Sequence, residues 1–147
     1  MSGLFQKFFS ILKGGRSPAE RMLQNFHDEQ QHLQEVFFAA AASSDKPRGL
    51  RWKSCDWLST YALVEDRSSG LLTLFCGVNV SFEAIEGGDM EGVEAVSMIR
   101  DGSAVFHGQD GRWGTGGRVL FNMTPGTAAT SVTPGQTLRS ADDGLAD

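Results

Sequence analysis

The chain has 147 residues, enough for one domain that buries about 70% of its unfolded surface. Its net charge of −5 disfavours nonspecific binding to nucleic acid, so no nucleic-acid partner is expected. No apolar run reaches the length of about 18 residues that predicts a transmembrane helix, and Lys7 interrupts the apolar N-terminus, which lacks a signal-peptide cleavage pattern. We therefore expect a cytoplasmic protein whose two cysteines, Cys55 and Cys76, are reduced and act as small hydrophobic residues.

Residues 4–13 form an amphipathic helical pattern. At about 100° per residue, the apolar side chains share one arc of about 160°. They are Leu4, Phe5, Phe8, Phe9, Ile11 and Leu12. Lys7 and Lys13 lie outside this arc, and Gly14-Gly15 ends the helix. A helix this short is marginal alone in water, so its apolar face should dock on its own domain, on a second copy or other protein partner, or peripherally on a membrane surface.

A second, longer helix is predicted from residue 18 to about residue 42. Ser17 can cap it, Pro18 suits its first position and Glu20 completes a capping box. The apolar residues of this helix share one arc of about 140°. They are Met22, Leu23, Phe26, Leu33, Val36, Phe37 and Ala40. Such a helix is about 37 Å long, so a sheet can curl around it.

Residues 71–86 alternate between apolar and small or polar side chains, which is typical of a strand with one buried face. The predicted buried residues are Leu72, Leu74, Cys76, Val78, Val80, Phe82 and Ala84. The run exceeds an ordinary strand of about 5 to 6 residues, so it must bend or serve different partners at its two ends. Gly77 has no side chain to resist a bend or bulge, and we expect one there.

Two shorter strands are expected before this stretch. They cover residues 50–57 and 61–65, and a polar turn at residues 66–70 leads from the second into the long strand. Gly87-Gly88 then breaks the long strand into an acidic loop. The three strands therefore form the start of an antiparallel meander.

The remaining strands are less sharply defined by the sequence. Residues 93–99 alternate weakly and form a strand that ends in a tight turn at Asp101-Gly102, or belong to one bent strand over residues 94–107. Asp110-Gly111 is the clearer hairpin signal. It leads into a last strand over residues 113–123, whose apolar side chains alternate onto one face.

The composition changes after residue 123. Residues 124–147 lack aromatic side chains and are rich in Thr, Ala, Gly, Ser and Asp, which is typical of a disordered tail. We therefore divide the chain into an amphipathic helix at 1–16, a single domain at 17–123 and a tail at 124–147. The predicted fold class is α+β, with the long helix packed on a curved antiparallel sheet. This order of elements resembles the cystatin-like or nuclear-transport-factor-2-like arrangement; the resemblance concerns arrangement only and transfers no site.

No sequence motif indicates a metal or a cofactor. His27 and His32 are five positions apart, whereas the zinc-protease pattern puts its histidines four apart on one helix face. The acidic stretch at residues 83–94 lacks the residue order of a calcium loop, and the glycine-rich stretch at residues 111–118 lacks the ending of a phosphate loop. No catalytic residue is assigned, and the sequence favours a protein that is not an enzyme.

Two functions are compatible with this sequence. The favoured hypothesis is a noncatalytic interaction module that binds protein or a membrane surface through residues 4–13. The alternative is a small-molecule or enzymatic pocket between the helix and the curved sheet. The polar strand residues expected to line that pocket are Asp56, Asn79, Glu83 and His107.

Overall fold

The computed structural model describes residues 17–44, 46–93, 96, 98–131 and 136–140. The amphipathic segment 4–13 lies outside these ranges, so its helix stays a prediction. The described elements are α1 (Pro18–Asp28), α2 (Gln30–Ala42), β1 (Leu50–Asp66), β2 (Leu72–Ala84), β3 (Arg100–Gln109), β4 (Arg112–Gly114), β5 (Val119–Phe121), α3 (Pro125–Thr130) and β6 (Gln136–Ser140). They confirm the α+β class, with an antiparallel sheet in the order β4–β3–β2–β1–β6 and β5 also paired to β3.

The first described helix begins where the sequence predicts. Ser17 Oγ accepts a hydrogen bond from the backbone N–H of Glu20 at 3.2 Å, and Glu20 Oε1 accepts one from the backbone N–H of Ser17 at 2.7 Å. The predicted capping box is therefore complete. The single long helix, in contrast, is two segments, because Glu29 with φ −106° and ψ 13° separates α1 from α2. The break falls where Glu29 and Gln30 interrupt the apolar arc.

Strand β2 lies in the middle of the sheet and has the buried face that its alternation predicts. Six of the seven predicted residues are buried among side chains of α1 and α2, and the seventh is half-buried. The buried ones are Leu72, Leu74, Cys76, Val78, Val80 and Phe82, and the half-buried one is Ala84. Phe75, an exception to the alternation, is buried on the opposite face.

Strand β1 is one strand of 17 residues where the sequence predicts two. Its register against β2 shifts between Trp57 and Tyr61, so residues 58–60 lie opposite Gly77 alone. A Cβ on Gly77 would collide with the hydroxyl of Thr60, so the missing side chain makes room for the bulge. The irregularity expected at Gly77 is therefore in the neighbouring strand, whereas β2 pairs with β3 without a shift.

Strand β3 contains the two residues predicted to form a tight turn. Asp101 and Gly102 both pair with β2, so the predicted turn is wrong. A Cβ on Gly102 would lie 2.7 Å from Val119 Cγ1, so close packing against β5 explains this glycine. Part of the alternative strand over residues 93–99 lies outside the described residues.

The predicted hairpin at Asp110-Gly111 is present, with φ values of 54° and 79°. The last predicted strand is instead two short strands, β4 and β5, which both pair with β3. Residues 115–118 bulge out between them, and Gly117 has φ 79°. A Cβ on Gly117 would lie 2.8 Å from the carbonyl carbon of Ala40, so glycine lets the bulge touch the end of α2.

The larger core lies between the two long helices and the sheet. Phe37 is fully buried at its centre, with its ring centroid 5.3 Å from that of Trp57 and 5.6 Å from that of Phe106. Val36, which the helical arc predicts to be buried, is 38% exposed. The change of direction at Glu29 explains this difference, because the apolar arc was drawn for one continuous helix.

A smaller core lies on the opposite face of the sheet, under α3. Ala128 and Ala129 of α3 are buried there against sheet residues. The sheet residues are Ala62, Val64, Phe75 and Val105. The predicted disordered tail at 124–147 is therefore corrected for α3 and for β6, which pairs with β1. The composition predicts a tail because α3 has no large apolar side chains, whereas its alanines cover the sheet by close approach. Residues 132–135 and 141–147 of the predicted tail lie outside the described ranges.

Candidate functional site

The four polar residues predicted to line a pocket lie on the sheet face opposite α1 and α2. Neighbouring residues of a strand point to opposite faces, so Asn79 and Glu83 point away from the helices that cover the rest of β2. Asp56 pairs directly with Asn79, and His107 pairs with Thr73 on the same face. Sequence reasoning thus placed these residues correctly on strands but on the wrong side of the sheet.

Only Asp56 and Asn79 are neighbours on that face, and His107 and Glu83 lie toward its opposite ends. His107 pairs with Thr73, which is ten residues from Glu83 on β2, or about 33 Å. Glu83 instead forms an exposed ion pair with Arg51, with Nη1 and Oε1 3.0 Å apart. None of the four lines the grooves described below. The structure therefore does not bring the predicted pocket residues together.

A groove of about 430 Å³ runs between α2 and the first half of β1. We call it the α2–β1 groove, and its lining residues come from one stripe of the helix and the helix-facing side of the strand. They are Gln31, Gln34, Glu35, Phe38, Ala39, Cys55 and Trp57. Leu58, 45% exposed at the bulge, extends the apolar surface beyond Trp57. The groove thus has an apolar floor and a polar rim, as a binding surface for another protein segment does.

The same groove borders an open strand edge. Strand β6 pairs only with residues 62–66 of β1, so within the described part of the chain residues 50–61 have no strand partner on the side opposite β2. Unpaired N–H and C=O groups at an edge are a template for another chain. The register shift beside the exposed Lys53 interrupts this edge and makes regular strand addition less favourable than side-chain docking.

A second groove, of about 520 Å³, lies at the C-terminal end of α2. We call it the basic groove, and it is built from the α2–β1 connection, the start of β1 and the bulge before β5. Its residues are Ser44, Lys46, Pro47, Trp52, Gly116, Gly117, Arg118, Val119 and Phe121. Among the described residues that line it, Lys46 and Arg118 are charged and none carries a carboxylate side chain. Neither cation forms an ion pair within the described residues.

Packing fixes the walls of the basic groove. Trp52 is 7% exposed, and its ring meets that of Phe82 edge-on at a centroid distance of 5.3 Å. Its Nε1–H donates to the backbone oxygen of Lys46 at 2.9 Å, which holds the α2–β1 connection against the indole. Phe121 also packs against Phe82, with ring centroids 5.9 Å apart. The floor is therefore aromatic and supported from behind by the main core.

The two cysteines are free thiols on the helix-facing side of the sheet. Burial raises the pKa of the Cys55 thiol to about 12, with a smaller contribution from the nearby charge of Asp56. Burial alone raises the pKa of Cys76 far above its usual range. Both side chains thus stay protonated at neutral pH, and a neutral thiol is a poor nucleophile. Neither cysteine is prepared for nucleophilic catalysis.

The protein is expected to lose stability in alkaline solution. Burial raises the pKa of Tyr61 to about 12, with a smaller contribution from Cys76, as it raises those of the thiols. A group whose pKa is higher in the folded state than in the unfolded state stabilises the fold fully at pH values below its unfolded-state pKa, here about 8.5 to 10. This stabilisation is lost as the pH rises toward the pKa of the folded state. Urea melts at about pH 8 and about pH 10.5 should show a lower free energy of unfolding at the higher pH. Tyr61→Phe should reduce the difference; a pH-independent free energy would contradict the prediction.

Among the described residues, no three His, Cys, Asp or Glu side chains are arranged to hold a metal ion. No helix within the described ranges has both the length and the apolar composition needed to cross a membrane. No known family model, no curated protein and no solved structure matches this chain.

Proposed function

We propose that this protein is a noncatalytic interaction module that binds protein, first of all a second copy of itself, through residues 4–13. The binding element is the apolar arc of that segment, with Lys7 and Lys13 on its polar side. The observation that carries the proposal is the complete capping box at Ser17. A helix that caps its own N-terminus is not continued by the preceding residues, so segment 4–13 is a separate element whose apolar face needs a surface.

We propose the α2–β1 groove as that surface. Phe38 and Trp57 supply apolar side chains in its floor, and Glu35 supplies a negative charge at its rim. The positive charges of Lys7 and Lys13 complement Glu35, and an apolar helix face laid into an apolar groove is a common recognition mode. The match in both polarity and charge favours a protein surface over lipid.

The length of the chain before α1 favours the groove of a second copy. Glu35 lies eighteen residues beyond Ser17 along two helices that are interrupted at Glu29, which puts it at most about 27 Å away. The extended chain from residue 17 to residue 13 covers about 14 Å, and half of a helix over 4–13 adds about 7 Å. On its own chain the centre of the segment would therefore reach only about as far as Gln31, at the near end of the groove, and we propose that two copies exchange segments across a two-fold axis.

Phe8→Asp is expected to convert a self-associated chain into a monomer, because it places a charge in the middle of the apolar arc. Gel filtration with light scattering measures the mass. Ser10→Asp adds the same charge on the opposite side of the segment and should leave association intact. If the unmodified full-length chain stays monomeric at high micromolar concentration, the proposal that it self-associates is wrong. Flotation with anionic vesicles then distinguishes a membrane surface, to which Phe8→Asp should also abolish binding.

The groove itself is tested by filling it. Ala39 is exposed and lines the groove, so Ala39→Arg should weaken association by about tenfold or more while leaving the core intact. Ala42→Arg is the matched control, because Ala42 is exposed near the end of α2 and outside the lining of the groove. Equal association of the two variants would show that the segment docks elsewhere.

Two finer expectations belong to this proposal. The first is the cystatin-like or nuclear-transport-factor-2-like arrangement, which is supported by helices that precede an antiparallel meander. Helix α3 and strand β6 are additions to that arrangement. The second is a cytoplasmic location, which is supported by two cysteines that are not paired with each other.

A further inference from the structure

We propose that the basic groove binds a small organic anion in which a carboxylate or a phosphate is carried on a planar ring. The juxtaposition that carries the proposal is that of Lys46 and Arg118 with the aromatic side chains of Trp52 and Phe121 in one groove. The site does not involve segment 4–13, so this proposal is independent of the proposed interaction function.

Charge in the groove favours an anion. Lys46 follows α2 and Arg118 precedes β5, so the fold brings together two cations from distant parts of the sequence. Neither has an ion-pair partner within the described residues, although the whole chain has a net charge of −5. A guanidinium group binds a carboxylate or phosphate through two parallel N–H bonds, and a lysine adds a mobile positive charge.

The end of α2 does not cancel this charge. Free carbonyl groups give the C-terminus of a helix a partial negative charge, which repels an anion. Here Ser43 Oγ donates to the carbonyl oxygen of Ala40 at 3.1 Å, and Ser44 Oγ donates to that of Ala41 at 2.7 Å. Two of the terminal carbonyl groups thereby have hydrogen-bond donors. The electrostatic potential in the groove is therefore set by the positive side chains of Lys46 and Arg118.

The aromatic side chains favour a ring over a simple inorganic ion. The Nε1–H of Trp52 already donates to Lys46, so the exposed edge of the indole, 7% of the residue surface, offers the groove an apolar contact rather than a free donor. Phe121 is half-buried and offers a second ring. Aromatic pairs gain from stacked or edge-on contact beyond the area they bury. A planar ring on the floor would leave its anionic substituent near the rim.

The shape of the groove agrees with a small ligand. Its volume of about 520 Å³ falls within the range of about 300 to 1,000 Å³ found for small-molecule pockets. On one side its wall is the backbone of Gly116 and Gly117, and a Cβ on Gly116 would meet no atom within 4 Å. The wall beside Gly116 is therefore open enough for a ligand to approach the backbone.

Calorimetric titration of the full-length chain tests the proposal, with benzoate and phenyl phosphate as probes. Benzamide and phenol retain the ring without the anion, and inorganic phosphate retains an anion without the ring. We expect at least one ring anion to bind saturably and about tenfold or more tightly than its uncharged analogue, because hydrogen bonds to charged groups are the stronger ones. The tighter of the two probes distinguishes a carboxylate source from a phosphate source.

Arg118→Ala should weaken binding of that probe by about tenfold or more. Arg112→Ala is the matched control, because Arg112 is exposed on β4 and does not line the groove. The proposal is overturned if neither ring anion saturates the protein, or if inorganic phosphate binds as tightly as the ring anions. It is equally overturned if the uncharged analogues bind as well, or if the two arginine variants bind alike while both melt as the parent does.

Discussion

Val78→Asp should lower the free energy of unfolding by about 4 kcal/mol or more. Val78 is fully buried on the middle strand, where it pairs with Trp57 on one side and Gly102 on the other. An aspartate there would lose its hydration inside an apolar core. Unpaired buried charges belong to the class of substitutions that can exceed about 4 kcal/mol, against a total stability of about 5 to 15 kcal/mol. Urea melts followed by circular dichroism give the free energy of unfolding directly.

The same substitution at an exposed valine is the control. Val36 lies on α2 with 38% of its surface exposed, so Val36→Asp should change stability by less than about 1 kcal/mol. A loss of similar size for Val78→Asp would mean that Val78 is not buried. That result would contradict the whole arrangement in which α1 and α2 cover one face of the sheet.

Gly117→Ala should cost about 2 to 4 kcal/mol, although it adds only one methyl group. Two effects combine at this position. Gly117 has φ 79°, which L side chains rarely adopt, and a Cβ there would lie 2.8 Å from the carbonyl carbon of Ala40. Because that atom belongs to helix backbone, it moves only if the end of α2 moves away from the sheet.

Two other glycines separate these effects. Gly111 has the same φ of 79° but no atom within 4 Å of a Cβ, so Gly111→Ala measures the backbone strain alone. Gly116 has an open environment and no positive φ, so Gly116→Ala should be close to neutral. If Gly117→Ala destabilises no more than Gly111→Ala in urea melts, the close approach of the bulge to α2 is disproved.

Features that depend only on residues close together in the sequence could be predicted from it. The buried face of β2 is predicted because alternation is a local property, and the cap at Ser17 because its partner is three residues away. The sequence does not predict that β1 is a single strand, because residues 58–60 resemble a break between two strands. Their pairing opposite Gly77 shows that the strand continues, and that pairing is a property of the fold.

Glycine and alanine are ambiguous in sequence for a related reason. Gly102 looks like a turn residue beside Asp101, yet it is needed for close packing under β5. Helix α3 looks like tail composition, yet Ala128 and Ala129 cover the second face of the sheet. A small residue indicates either a flexible backbone or a place where two elements pack closely. Only the position of the neighbouring elements in the fold decides between the two.

The candidate sites were predictable only in part. The polar residues Asp56 and Asn79 share one sheet face as expected, but local alternation does not say which face receives the helices. The basic groove was missed because Lys46, Trp52 and Arg118 belong to three separate segments. The nearest signal was the glycine pair beside Arg118, which indicates a bulge without showing what it approaches.

The order of strands has a consequence for how the domain assembles. Strands β1 to β4 pair with their neighbours in the chain, whereas β6 returns to β1 across α3 and all the intervening strands. Closing so long a loop is entropically expensive, so the β1–β6 pair should form last during folding. By the same reasoning it should open first in the native state, and amide protons of β6 should exchange with solvent sooner than those of β2.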